Sequence, residues 1–333
     1  MSAVETVRGP VALDALGPTL MHEHVFVMQP EPRENYGRAW GAPYWDEEER
    51  VADAIAKLTR LRQGGITTIV DPTVLGLGRN IERIQRINAA VDLNIIVATG
   101  VYAFLEMPNF LATRTDDAII DLFTQEIEYG INGTGVKAAF LKCAVEHHGV
   151  IGDVPRILGV IAETAKRASV PVMVHTNAQA QSGLPALRAL TDAGVDPERI
   201  VIAHAGDSND LDYLRAIADT GASLGFDRFG IDHFNPTPDR IRTLSALVRE
   251  GYADRIHLSH DAACFYDFMV HNPFFEDEKP DYLFITHEVL PLLADAGVTT
   301  DVVEQMMVTN PRTFFAAGEA PEETSTCRPP SSF

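Results

Sequence analysis

With 333 residues, 46% of them hydrophobic and 22% charged, the chain has the composition of a globular protein, long enough for two average domains or one large α/β barrel. Its 27 Lys and Arg stand against 47 Asp and Glu, and the resulting net charge of -20 repels phosphate backbones and anionic lipid, which argues against nucleic acid and membrane partners. Cys143, Cys264 and Cys327 form no CxxC pair, so neither a disulfide framework nor a structural zinc site is implied, and a reducing cytoplasm fits. The N-terminal stretch has neither a basic start nor an apolar run, and no window reaches the roughly 20 apolar residues of a spanning helix, so no export signal is expected.

Taken in chain order, short β-rich runs alternate with longer amphipathic ones from Thr19 onward, the pattern of βα units feeding a parallel sheet. The first run is TLMHEHVF near 19. It is followed by EEERVADAIAKLTRLRQGG, which opens with acids, stops at a Gly pair and places Val51, Ile55, Leu58 and Arg62 at helical spacing. Further strands are expected at TTIVDPT near 67, NIIVATGVY near 94, AAFLKCAV near 138, PVMVHT near 171, IVIAHAG near 200, ASLGFD near 222 and IHLSHDA near 256. TDDAIIDLFTQEIEYG, VPRILGVIAETAKRA, GLPALRALTDAG, DLDYLRAIADTG and TPDRIRTLSALVREG supply crossover helices. This even spacing predicts one closed (β/α)8 TIM barrel over residues 1–316. The aromatic stretch CFYDFMVHNPFFEDEKPDYLF after the eighth strand reads as an active-site loop, with the last helices beginning near Ile285. Residues 317–333 lack apolar periodicity and read as a disordered tail.

In such a barrel the functional side chains sit where strands end. His22 and His24, two apart on one strand, point to the same face; alone, the pair fits metal ligation or polar packing at a barrel mouth equally. His175 closes PVMVHT, His204 closes IVIAHA and Asp261 closes IHLSHD. Imidazoles and a carboxylate converging on one rim are the donor set of zinc or a similar divalent metal. Lys142 is costly there as an ammonium and is driven toward the neutral amine. It either pairs with a nearby acid or captures carbon dioxide, and the two oxygens of the carbamate would then bridge two metals. His260, next to Asp261, is expected to face the other way, and His147, His148, His233, His257, His271 and His287 read as loop or packing residues.

TLMHEHVF on the first strand, Lys142 on the fourth, His175 on the fifth, His204 in AHAGDS on the sixth and Asp261 in LSHDA on the eighth resemble the phosphotriesterase family of the amidohydrolase superfamily, over nearly the whole chain. The resemblance implies two divalent cations at the C-terminal ends of the strands, zinc first, with cobalt, iron or manganese as alternatives. His22, His24 and Asp261 would hold the more buried one and His175 and His204 the more exposed one, bridged by carboxylated Lys142 and a hydroxide. GFDRFGIDHFNPTPDR enters a helix almost at once, and this short seventh loop resembles the phosphotriesterase-like lactonases. So do Tyr102 in VATGVYAF and Arg228 in FDRFG, which match the tyrosine and arginine at the lactonases' metal centre and substrate loop. On their own, Tyr102 also reads as a half-buried aromatic and Arg228 as the partner of an acid such as Asp227. The chain departs from the pattern at Asn177, at Ala205 and at Phe268, where relatives often show His, Cys and Trp.

What the resemblance implies is hydrolytic opening of a lactone ring, N-acyl-homoserine lactones first (quorum quenching), with organophosphate triester hydrolysis as a side activity. The hydroxide attacks the carbonyl, Tyr102 steadies the developing oxyanion, Arg228 stands at the substrate loop and Asp261 passes a proton to the leaving alkoxide. The acyl chain is expected against Phe229, Ala263, Phe265, Phe268 and Met269. A main activity on phosphotriesters, a non-enzymatic metal-binding protein and an amidohydrolase for a cyclic amide or nucleobase are the rival readings. The resemblance also implies a homodimer.

Overall fold

The structure, a computed structural model, describes residues 2–41, 44, 46–268 and 282–316. An antiparallel hairpin of β1 (Ala3–Thr6) and β2 (Gly9–Ala12), unannounced in the sequence pattern, precedes the barrel. Next come β3 (Thr19–Leu20), β4 (His24–Val27), α1 (Pro30–Trp40), α2 (Glu47–Gln63), β5 (Thr68–Asp71), α3 (Ile81–Asn88), β6 (Asn94–Gly100), α4 (Asn109–Ala112), α5 (Asp116–Glu128) and β7 (Phe140–Val145). The second half runs α6 (Val154–Ala168), β8 (Val172–Thr176), α7 (Gly183–Asp192), β9 (Ile200–Ala203), α8 (Leu211–Ala218), β10 (Ser223–Phe226), α9 (Thr237–Arg249), β11 (Ile256–Leu258) and β12 (Ala263–Tyr266). Short helical turns from Ile285 to Ala316 complete it.

The eight strands β11, β10, β9, β8, β7, β6, β5 and β3 pair in parallel in that order. Their side chains alternate between two buried faces, which is why the strands read as continuous apolar runs. Val70, Ile96, Phe140, Met173 and Val201 fill the interior, while Ile69, Ile95, Leu141, Val172 and Ile200 face the helices. The interior is therefore packed with side chains, and only its C-terminal end is left for a site.

The run TLMHEHVF, expected as one strand, is two. Thr19 and Leu20 pair with β5, whereas β4 pairs with β12, Ala263 lying opposite His24. Between them the buried carboxylate of Glu23 replaces the ladder: Oε1 accepts from Ser259 Oγ (2.8 Å) and His260 N (2.9 Å), and Oε2 from Ala262 N (3.0 Å). This side chain and the β4–β12 pair close strand one onto strand eight.

The first crossover helix follows its sequence signals, with one slip. Asp46 caps α2 by accepting from Glu49 N at 3.1 Å. Its buried stripe is Val51, Ala54, Leu58 and Leu61; Ile55 is half-buried and Arg62 bonds the Asp92 carbonyl outside the core. Helices α1 and α3 lie outside the crossover helices expected from the sequence, although Ile81, Ile84 and Ile87 of α3 form a buried stripe at helical spacing. Among the described residues no helix is long and apolar enough to cross a membrane. The expected tail 317–333, with Cys327, lies outside the described residues, as do Met269 and His271.

Candidate metal centre

Six side chains from five of the barrel's strand positions meet at its C-terminal end: His22, His204 and Asp261 lie past the ends of β3, β9 and β11, His24 opens β4, Lys142 lies within β7 and His175 is one residue from the end of β8. Asp261 Oδ1 lies 3.4 Å from His22 Nε2 and 3.3 Å from His24 Nε2, and His204 Nε2 lies 2.8 Å from His175 Nδ1. The ring centroids of His22 and His204 are 4.9 Å apart, so the two groups adjoin. His22 and His24 converge although a strand break separates them, and Asp261 and His204 turn inward from the left-handed backbone region, at φ 56 and 65.

Each imidazole is fixed by its outward nitrogen, which leaves the other aimed at the centre. Asp227 serves two of them: Oδ2 lies 2.8 Å from His22 Nδ1, and Oδ1 lies 2.9 Å from His204 Nδ1. Thr73 Oγ1 lies 2.7 Å from His24 Nδ1, and Glu146 Oε1 3.0 Å from His175 Nε2. Asp227 needs Gly225 beside it, because a Cβ there would stand 2.6 Å from Oδ2. Gly100, at φ 132, likewise has no room for a Cβ against the Lys142 carbonyl, so β6 and β7 draw close around Lys142.

Electrostatics favour a cation at this point. Burial lowers the titration of His22, His175 and His204, leaving neutral rings with a lone pair to give. At His24 burial lowers it too, but the carboxylates of Asp261 and Asp71 overcome this and raise it to about 9. The positive charge that a proton supplies on His24 is the charge a divalent ion would supply. Burial also raises Asp261, yet the hydrogen bond from His24 and the charge of Arg228 hold its carboxyl well below the usual range. Burial lowers Lys142 to about 8, and among the described residues its Nζ has no hydrogen-bond partner. An orphaned buried amine beside four imidazoles and a carboxylate fits a metal pair that the amine, once carboxylated, would join.

A cavity of about 490 Å3 opens above these residues. Tyr102 lines it, its ring centroid 5.0 Å from that of His175 in an edge-to-face arrangement, and burial raises the phenol so that it stays an O–H donor. Arg228 lines it as well but is not the partner of Asp227. Its Nε donates to Asp261 Oδ2 and its Nη1 to Asp207 Oδ2, both at 2.9 Å, and its guanidinium lies 4.4 Å from the Phe234 centroid.

The apolar wall differs from the sequence expectation. Phe268 lines the cavity, but Phe229, Ala263 and Phe265 do not. Phe229 is wholly buried beneath the guanidinium of Arg240, 5.5 Å from its centroid. Phe265 faces away from the cavity, toward Phe26 and Tyr44, and Ala263 is packed behind Val27 and Tyr266. Leu77, Val27, Ile231, Phe234 and Tyr266 make the wall instead. His260 is buried with Nδ1 2.6 Å from Glu23, Nε2 accepting from Ile285 N, while His147, His148, His233 and His287 are exposed and His257 is buried. Asp71, Glu146 and Asp227 were missed as positioning residues, although each ends an apolar strand in the way Asp261 does. Arg240 gave no such signal, since it sits inside a helix.

The phosphotriesterase family profile matches residues 2–315. A phosphotriesterase homology protein of Mycobacterium tuberculosis is 42% identical over 328 residues, covering 95% of this chain and 98% of its own. An aryldialkylphosphatase of Saccharolobus solfataricus is 36% identical over 304 residues, covering 90% of this chain and 95% of its own. The solved structure of the phosphotriesterase from Mycobacterium tuberculosis superposes with a TM-score of 0.90 at 42% identity, over 94% of this chain and 98% of that one.

Proposed function

Because the chain belongs to the phosphotriesterase family, a family of binuclear metal hydrolases, we propose that it opens lactone rings, N-acyl-homoserine lactones above all, with phosphotriester hydrolysis as a side activity. The observation that carries this reading is Tyr102: an un-ionised phenol at the rim of the donor cluster, across a cavity whose other wall is apolar. An amphipathic ester with a flat carbonyl head and an alkyl tail matches that division. Glu146, Asp261 and Asp267 around the same cavity, in a protein of net charge -20, favour a neutral substrate and repel the carboxylate that ring opening produces.

His22, His24 and Asp261 would hold one cation and His175 and His204 the other, with a carbamate on Lys142 shared between them; zinc is the first choice. When bound, such a pair supplies Lewis acidity and a water of lowered pKa. Tyr102 donates its O–H to the oxygen of the attacked carbonyl. Arg228 holds Asp261 in place. Asp261 accepts the proton released as water adds to the carbonyl carbon and delivers it to the alkoxide when the ring C–O bond breaks. Leu77, Phe234 and Phe268 seat the alkyl chain.

The relative named aryldialkylphosphatase favours a second reading, in which phosphotriesters are the main substrate. Comparing kcat/KM for lactones of several acyl lengths with that for a dialkyl aryl phosphate, on protein of measured metal content, separates the two. Higher values for every lactone are expected, and a phosphotriester exceeding them all would reverse the assignment. A homodimer and a cytoplasmic location accompany the proposal.

A further inference from the structure

Four side chains of alternating charge, Arg240 and Asp207 buried and Arg228 and Asp261 partly so, run from helix α9 to the centre. Arg240 Nη2 donates to Asp207 Oδ1 at 2.6 Å, Arg228 Nη1 donates to Asp207 Oδ2 at 2.9 Å, and Arg228 Nε donates to Asp261 Oδ2 at 2.9 Å. The side chain of Arg240 is 0% exposed and that of Asp207 3%, so water screens this file little. Arg240 is not among the residues lining the cavity. Its Nε donates to the Gly206 carbonyl at 3.2 Å, and its guanidinium lies over Phe229. The short connection from Phe226 at the end of β10 to Thr237 at the start of α9 brings the first turn of that helix under the rim.

Each oxygen of Asp207 has its own guanidinium. Were Oδ1 to lose Arg240, the charge of a buried carboxylate would fall on Arg228 alone. Arg228 is a rigid fork shared between two acids, and a stronger pull from Asp207 draws it off Asp261. We infer that Arg240 is a positioning residue, which by occupying Asp207 holds Arg228 on Asp261 and so fixes the carboxylate of the centre without touching cavity or donor set. The kinetic part of the test rests on the proposed hydrolysis, whereas the spectroscopic part does not.

The test uses holoprotein labelled with 15N-arginine, in which the Arg228 Nε–H signal is identified by its disappearance in Arg228→Lys. Arg240→Lys keeps the charge but cannot serve Gly206 and Asp207 with one fork, and Arg240→Gln removes the charge. The Arg228 signal is expected to move in Arg240→Lys, while kcat falls by about 10-fold with KM nearly constant, and by up to about 100-fold in Arg240→Gln. Adding Arg240→Lys to Arg228→Lys should lower kcat no further. An unmoved Arg228 signal in folded Arg240→Lys, or losses that multiply in the double variant, would overturn the inference. A wild-type protein that hydrolyses no ester would refute the proposed function alone, since the signal still decides the role of Arg240.

Discussion

Asp227 Oδ2 lies 2.8 Å from His22 Nδ1, with both side chains 2% exposed, and the other oxygen of the same carboxylate holds His204. One acid thereby sets which nitrogen of two imidazoles faces the centre. In Asp227→Asn the amide has a single acceptor oxygen and an NH2 in place of the other, so one ring must reverse its proton. Metal affinity should fall about 10- to 100-fold, read by competition with a chelator. Wild-type metal retention in a folded Asp227→Asn would show that the rings orient themselves.

Lys142 gives a prediction with a definite sign. Burial lowers its amine to about 8 from the ordinary 10.5, so the folded chain disfavours the ammonium. The penalty is complete below pH 8, where both states are protonated, and is relieved as pH rises toward 10.5. In metal-free protein under CO2-free buffer, Lys142→Met should therefore be more stable than wild type by ~3 kcal/mol below pH 8. Urea denaturation at several pH values should show that difference shrinking toward pH 10. A constant difference would mean that the amine finds a partner when the metals are gone.

The barrel and the donor set were legible in the sequence for one reason. A polar residue ending an otherwise apolar strand is a local signal, and His175, His204 and Asp261 each carry it. Asp71, Glu146 and Asp227 carry the same signal, but a carboxylate at a strand end is also an ordinary surface acid, so the signal alone gives it no role. The apolar wall was illegible for a different reason. Phe229 and Phe265 are aromatic neighbours of site residues in sequence, but Phe229 packs under Arg240 from the next helix and Phe265 against Tyr44, which is distant in sequence. Arg240 shows the limit most plainly: at a helical position it reads as a solvated cation, and only the length of the preceding loop buries it.

His257 is 1% exposed, both ring nitrogens lack a hydrogen-bond partner among the described residues, and its ring packs 6.1 Å from that of Phe314. Burial lowers it to about 3, below its ordinary 6.5. The native state resists protonation there, so stability falls as pH drops from 6.5 toward 3. His257→Met, close in volume and free of unmet polar atoms, should raise stability at pH 7 by about 1–3 kcal/mol. The gain should widen in acid, and kcat/KM should stay unchanged. A lower Tm for His257→Met at pH 5 would show that the imidazole is bonded after all.

Tyr102→Phe tests the proposed chemistry with the smallest change available. The ring stays against His175, so metal content and fold are expected to match wild type, and only the hydroxyl is lost. A donor aimed at a developing oxyanion is worth on the order of 10²-fold in kcat, and that loss is expected for a lactone. Because burial raises the phenol above its ordinary 10, the donor is present across the neutral range, so the defect should be the same from pH 6 to pH 9. Phosphotriester turnover, whose phosphoryl oxygen sits at a tetrahedral centre already, should suffer less. Equal losses on both substrates would make Tyr102 a general support of the centre, and no loss on the lactone would remove it from the reaction.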